Sequence, residues 1–447
     1  MSIGKHQIRL ISRTKSYIKK ISKGGVDTGK SALCYFAGWD ESLGLCKLRL
    51  WVGDFAYFSF IRVFIREVWG IYNHFGYVIK NDLKIENFTN IIVTWGFKKN
   101  FLSNGSIQDH YLQTNSRETK NSLWFVIYFD KELPNKIDQK IIILQKKVNF
   151  FNYKIFAFFK NILLIFFRNN FNIIKIFHSL SSHAFFGQII VKKINNYIEH
   201  KGLKSVIMPY EAQPFQQMIF SHAKKVNNKI KTIGYVHDAE PLHLHYNFRK
   251  GSPDLLLFHT KSRESYFAKH LNWPTKRLRH IPSLSFRKGA NKEISSGVVL
   301  LPNGLYHKEK ILLEFEKFLE ISEKKSLSKL KIRCHPRSFN IKLQKKMESE
   351  LKSLVGKYKN RFSSNLKKEK MLVVIGVSSA VVIALEKGMS VFHICTEPII
   401  QSYSQEIWPD IYVKQITPNL FKYRLKKFGR CLTFGNEKRM FAKYCVN

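Results

Sequence analysis

Between Met371 and Ile394 the sequence reads MLVVIGVSSAVVIALEKGMSVFHI, and this stretch constrains the chain to a parallel α/β fold. Met371–Ile375 is a short apolar, β-branched run of the kind that lies in a sheet buried on both faces. Gly376 ends it. A helix opens at Val377-Ser378-Ser379 and closes at Gly388, where a left-handed glycine commonly caps a helix. Ser390–Ile394 is the next strand. Two hydroxyls therefore stand where a strand hands over to a helix N-terminus. Free N–H groups and the helix dipole favour an anion there. A serine at that place also serves as a plain N-cap, so the pair gains meaning only beside other groups.

The same alternation extends both ways. Ala32–Phe36, Ile91–Trp95, Trp124–Phe129 and Lys140–Leu144 read as strands; Tyr57–Phe75 and Phe171–His200 read as helices. Lys204–Met208, Lys231–Val236 and Asp254–His259 are further strands, with a helix over Pro214–Val226 and an edge strand at Arg277–Ile281. A charged linker over Ser283–Ser296 leads to a second series. It comprises strands at Val298–Leu301 and Lys329–Cys334, a helix over Glu309–Ser322, the opening stretch, and a terminal helix at Pro418–Phe428. The expected division is a basic, loosely ordered N-terminus (1–31), an N-terminal α/β domain (32–285), a C-terminal α/β domain (286–430) and a tail (431–447). The expected fold class is α/β: two Rossmann-like parallel-sheet domains facing a cleft, where open α/β sheets place their ligands.

Charge bears on partners. The chain carries 75 Lys+Arg against 32 Asp+Glu, a formal +43, which attracts polyanions. The lysines run from end to end, however, alongside the Asn, Ile and Phe that A/T-rich codons supply. A nucleic-acid-binding protein would gather them on one face among stacking aromatics, so no specific nucleic acid is expected. The six cysteines include no Cys-x-x-Cys pair, which disfavours a zinc site and fits reduced thiols in the cytoplasm. No signal peptide follows the basic N-terminus. Ile155–Phe167 is the most apolar segment, but Lys160-Asn161 interrupts it and it is too short to span a membrane. Its aromatics, with Lys147, Lys154, Lys160 and Arg168, suit an interfacial helix on an anionic membrane face; a core helix is the plainer alternative. Gly24–Ser31 matches the P-loop pattern literally, but the charged Lys15–Lys23 before it is not a strand, so the match is fortuitous.

Candidate chemistry collects at strand ends. In the second half these are Asn303-Gly304, His335-Pro336-Arg337 and Ser378-Ser379, a set suited to a nucleotide phosphate. In the first half they are Glu211 with Gln213, His237-Asp238 and Ser262 on the acceptor side. Glu211, in a loop beside Tyr210, suits a general base that takes a proton from an acceptor hydroxyl; Asp238 is the second candidate. No metal-binding Asp-x-Asp is present, and no metal is expected.

His335-Pro336 and Ser378-Ser379, with an upstream acidic loop, resemble the HP and SS motifs of bacterial sialyl- and polysialyltransferase-type enzymes, which are glycosyltransferases of the GT-B fold. The likeness extends more faintly to transferases that use CDP-glycerol, and it covers roughly Ser205 to Phe434. It implies a metal-independent transferase in which His335, Ser378 and Ser379 bind a cytidine nucleotide and Glu211 is the base. It also implies a nucleotide-sugar co-substrate in place of a cofactor, and a surface-glycan or lipid-linked acceptor at the inner face of a bacterial membrane. The acidic motif departs from the family pattern: Tyr210-Glu211-Ala212 lacks its second carboxylate and its glycine. Ile383 stands where many retaining GT-B enzymes carry a glutamate. The rival expectations are a glycerophosphate or sugar-phosphate transferase, a basic nucleic-acid-binding protein and a non-catalytic relative.

Overall fold

The computed structural model of the chain describes residues 2–37, 42–51, 57–74, 76–81, 87–119, 121–146, 151–287, 294–302, 305, 307–322, 330–335, 341–358, 370–435, 441, 443 and 445. Three helices come first: α1 (Ile3–Lys23), α2 (Leu43–Trp51) and α3 (Tyr57–Gly70). Strands β1 (Tyr77–Lys80), β2 (Asn90–Gly96), β3 (Ser122–Tyr128) and β4 (Ile141–Lys146) follow, then helices α4 (Phe151–Arg168), α5 (Ile173–Ser179) and α6 (Ser182–Ile198). The first half closes with β5 (Ser205–Pro209), α7 (Pro214–Val226), β6 (Lys231–Tyr235), β7 (Leu255–Phe258), α8 (Glu264–His270) and β8 (Leu278–His280). The second half holds β9 (Val298–Leu300), α9 (Lys308–Ile321), β10 (Lys331–Arg333), α10 (Ile341–Lys357), β11 (Met371–Ile375) and α11 (Ala380–Glu386). It ends with β12 (Ser390–Ile394), α12 (Pro398–Gln401), β13 (Ile411–Gln415) and β14 (Leu420–Leu425).

These strands form two sheets. The first has eight strands in the order β1-β4-β3-β2-β5-β6-β7-β8, parallel throughout except for β1, which runs antiparallel to β4 at the edge. The second has six in the order β10-β9-β11-β12-β14-β13; the first four are parallel, and the β13–β14 hairpin joins antiparallel. The fold is therefore α/β with two parallel-dominated sheets. Burial on both faces explains the unbroken apolar runs: alternate residues of β3, such as Phe125 and Trp124, enter different cores.

The two halves share one core. Leu256 and Phe258 of the first sheet, Val374 and Val391 of the second, and Tyr403 and Trp408 belong to the same buried cluster. Tyr403 donates from its hydroxyl to the Ala239 carbonyl at 2.8 Å, and the Trp408 indole donates to the Pro241 carbonyl at 2.8 Å.

Four expectations change here. The N-terminus forms the 21-residue helix α1 where loose order was expected. Its buried residues Gln7, Leu10, Ile11, Thr14, Tyr17, Ile18 and Ile21 recur every three or four positions, an amphipathic pattern obscured by seven Lys and Arg. Helix α1 also straddles the molecule. Near its start the Gln7 amide donates to the Ile399 and Ser402 carbonyls; further on, Thr14 and Lys15 meet Asn247 and Lys269. Ala32–Cys34 is a 3₁₀ turn, not a strand, with Ser31 Oγ accepting from the Leu33 N–H at 3.2 Å. Pro418–Phe428 holds strand β14, not a helix: Leu420, Phe421 and Tyr423 are buried while Lys422 and Arg424 point outward. The described residues just after 430 pack back onto the first half. Cys431 and Leu432 are buried, and the Thr433 N–H bonds the His259 carbonyl at 2.9 Å. Gly24–Ser31 follows a helix, as its reading as a fortuitous match requires.

Candidate functional site at the seam between the sheets

Strand order reverses between β2 and β5 in the first sheet and between β9 and β11 in the second. Such switch points open a crevice at the carboxyl ends of the strands. Glu211 lies just past β5. The Gln216 side chain accepts from the Glu211 and Gln213 N–H groups at 2.9 and 3.1 Å and donates to the Pro209 carbonyl at 2.7 Å. Between them Ala212 is buried with φ of +53°, a left-handed conformation that costs a non-glycine residue about 1 kcal/mol or more. Its carbonyl accepts from the buried Arg249 guanidinium at 2.8 Å. This braced loop presents the Glu211 carboxylate to two partners: the Gln213 amide at 2.6 Å and His237 Nε2 at 3.3 Å.

The sequence-predicted group Glu211, Gln213 and His237 is therefore assembled. Burial works to lower the His237 pKa, but the hydrogen bond and charge of Glu211, aided by Asp238, prevail and raise it. Asp238 is more fully committed. It accepts from His243 Nε2 at 2.5 Å and the Tyr246 hydroxyl at 3.3 Å. Burial alone would raise its pKa, yet the hydrogen bond from His243 and the neighbouring His237 hold it far below the usual carboxylate range. A carboxylate so stabilised is a poor proton acceptor. Burial, with the Arg263 charge adding, pushes His243 down to about 4. Ser262 is buried, and its N–H donates to the Arg430 carbonyl at 2.9 Å; no contact joins it to Glu211.

On the second sheet, Gly376 takes φ of +71°, and a Cβ there would lie 3.0 Å from Pro302 Cβ in the loop after β9. Gly376→Ala should cost about 1–2 kcal/mol from backbone handedness alone, with the Pro302 contact added, measured by denaturant unfolding. Ser378 Oγ accepts from the Ala380 N–H at 3.2 Å, the plain capping role. Ser379 Oγ accepts from the Ala239 N–H of the facing half at 3.0 Å, so the serine pair reaches the His237-Asp238 loop directly. His335 lies past β10, on the same carboxyl edge but two strands away, about 10 Å at ordinary strand spacing. Its N–H donates to Gln344 Oε1 at 3.3 Å. Asn303, Gly304, Pro336 and Arg337 lie outside the described residues.

A feature missed by sequence reasoning dominates the seam. A cavity of about 530 Å³ lies between α1 and α2 on one side and the segments after β9 and β12 on the other. Its polar lining is strongly basic: His6, Arg9 and Arg13 from α1, Arg49 from α2, and His307 and Lys310 from the start of α9. Glu397 is the sole carboxylate among its described lining residues, and it pairs with Arg49 at 2.6 Å. Lys310 Nζ donates to the Thr396 carbonyl at 2.7 Å, bridging from the β9 side to the β12 side. Strand β11 lies between those strands, so the cavity and the serine turn share one carboxyl edge. His307 stands at the N-cap of the 14-residue α9 with φ of +56° and no side-chain cap bond. Cationic side chains and a helix N-terminus together suit a phosphate. Residues 6, 9 and 13 share one helical face, a spacing visible in the sequence once α1 is recognised as a helix.

Among the described residues one group has metal-ligand spacing: Asp238, Glu240 and His245, with ligand atoms within 4.8 Å of one another. Asp238 already accepts two hydrogen bonds there, and Arg263 donates to the Glu240 carbonyl at 2.6 Å, so protein groups already supply positive charge. No family model matches this sequence, and no curated protein does either.

Proposed function

We propose that the chain is a two-domain, GT-B-type glycosyltransferase that moves a sugar from a nucleotide-activated donor, with CMP-linked sugars among the candidates, to a surface-glycan or lipid-linked acceptor. The observation that carries this reading is the basic cavity between α1, α2 and the segments after β9 and β12, on the carboxyl edge of the second sheet that also holds the serine turn. Its cations and the α9 N-terminus suit the phosphates of a nucleotide donor, with Ser378 on the same edge and Ser379 beside it, bonded to the facing Ala239 loop. The acceptor hydroxyl attacks the anomeric carbon. The bond from that carbon to the phosphate oxygen breaks, its electron pair leaves with the phosphate, and Glu211 takes the hydroxyl proton. Preorganised positive charge from Arg9, Arg13 and Lys310 stabilises the departing phosphate. No step is routed through a metal. The scattered cysteines, five of them buried, fit work in a reducing cytoplasm.

The test is a donor panel of CMP-, CDP-, UDP- and GDP-activated compounds, scored for released nucleotide. The reading requires turnover of at least one sugar donor and its loss in Arg9→Ala/Lys310→Ala. Products that carry phosphate would reassign the chain to the CDP-glycerol-type transferases; the cavity suits both donor classes.

A further inference from the structure

Helix α4 has two apolar faces where a helix packed on a core needs one. Phe158 and Ile165 are buried. The other stripe, Phe156, Phe159, Leu163 and Phe167, follows spacings of three and four residues and is 55–70 % exposed. It does not end with the helix. Phe167 meets Phe171 with ring centroids 5.3 Å apart, and the 81 % exposed Ile173 follows at the start of α5. On the other flank Trp69 of α3, 64 % exposed, packs edge-on against Phe158. A continuous exposed strip of large apolar side chains needs an occupant.

Charge identifies it. The lysines are spread evenly, but the acids are not. The sixty residues from Gln139 to Ile198 carry nine Lys and Arg and no Asp or Glu, although the chain-wide rate, 32 in 447, would place about four there. Helix α1 likewise has seven Lys and Arg and no acid. The two elements meet at a second groove, of about 900 Å³. Arg13 and Lys20 of α1, with Lys47, line it against Ile173, Ile174 and Phe177 of α5. An apolar floor flanked by cations matches a phosphate-bearing lipid. Arg13 also lines the basic cavity at the seam, so the two spaces share a wall. No helix among the described residues is long and apolar enough to cross a membrane, so contact through this strip would be at the surface. Lys147, named above beside this helix, lies outside the described residues.

We infer that the α3–α4–α5 face docks on an anionic phospholipid leaflet, with the groove beside α1 receiving a phosphate-bearing lipid. For the acceptor, this rests on the transferase reading and narrows it to one presented at a membrane; the docking itself does not depend on that reading. The experiment is flotation of the full chain with phosphatidylcholine vesicles, with and without phosphatidylglycerol. The wild type should float with the anionic vesicles and far less with neutral ones. Phe159→Glu/Leu163→Glu, both at exposed positions, should lower the bound fraction about tenfold with an unchanged circular-dichroism spectrum. Ile321→Glu, at an exposed apolar site on α9, should bind like wild type.

No vesicle binding by the wild type, equal binding to both vesicle types, or full binding by the double variant would overturn the inference. So would a wild-type dimer that the double variant dissociates, since a second copy would then own the face. Nucleotide calorimetry without vesicles separates the two readings: vesicle binding without nucleotide binding sinks the transferase and leaves the docking face standing.

Discussion

Glu211→Gln should reduce transfer by about 10²–10⁴-fold while leaving donor affinity within about twofold of wild type. That loss is the ordinary contribution of a positioned general base. The substitution keeps the shape of the side chain and its place in the braced loop, so the fold should survive. A second readout separates the base from a purely structural role. His237 is raised by its bond to Glu211 against the pull of burial. With a neutral amide opposite, only the Asp238 and Asp109 charges still oppose burial, and the His237 titration should move downward in an NMR pH series. A group whose folded pKa is raised contributes stability below its unfolded value, near 6.5, and loses it as pH rises through the folded value. The variant should therefore be most destabilised, relative to wild type, on the acid side of neutrality. A rate loss without the His237 shift would break the link between the pair and the chemistry; the shift without a rate loss would leave Glu211 structural.

The second large effect is acid unfolding. Five histidines, His178, His243, His245, His259 and His393, are buried. Burial lowers His178, His243 and His393 to about 4, His259 to about 3, and His245 well below its ordinary value. The sign is opposite to that of His237. These rings stay neutral in the folded chain but take up protons near pH 6.5 once unfolded, so the stability present above pH 6.5 is lost as pH falls toward 4. Each ring adds to the loss in the same direction, so the stability of the fold falls steeply with acid. Melting followed by circular dichroism should show a steep fall in Tm between pH 6.5 and 5. A flat profile over that range would mean that these rings titrate freely in the folded state.

The paired strand ends were legible because parallel strands buried on both faces leave unbroken apolar runs between turn residues. Lys231–Tyr235, Met371–Ile375 and Ser390–Ile394 lie where such runs put them, and Pro214–Val226 is bounded as its proline and polar cap residue suggest. Three readings failed for physical reasons. The cationic density of α1 masked a period of three to four apolar residues, and the cavity cations Arg9 and Arg13 went unnoticed with it. The apolar Ala32–Cys34 is core without being sheet, because the Ser31 hydroxyl closes a turn there. The hairpin β13–β14 depends on pairing Ile411 with Leu425 across a turn, a non-local contact that local periodicity underweights. At the site, adjacency along the sheet could not be read from order along the chain. Strand β9 inserts between β10 and β11, so His335 and Ser378 stand two strands apart although they share an edge.

Helix α1 gives the account its sharpest consequence. It contributes His6, Arg9 and Arg13 to the cavity while its buried face ties both halves together. Arg9 and Arg13 are exposed, so their removal should spare the fold. The most direct measurement is isothermal calorimetry of CMP, CDP, UDP and GDP binding to the wild type and to Arg9→Ala/Lys310→Ala. The account predicts that at least one of these nucleotides binds, that affinity falls with added salt, and that the double variant loses about tenfold or more in affinity at an unchanged Tm. Absence of binding by all four, or equal affinity in the variant, would contradict it.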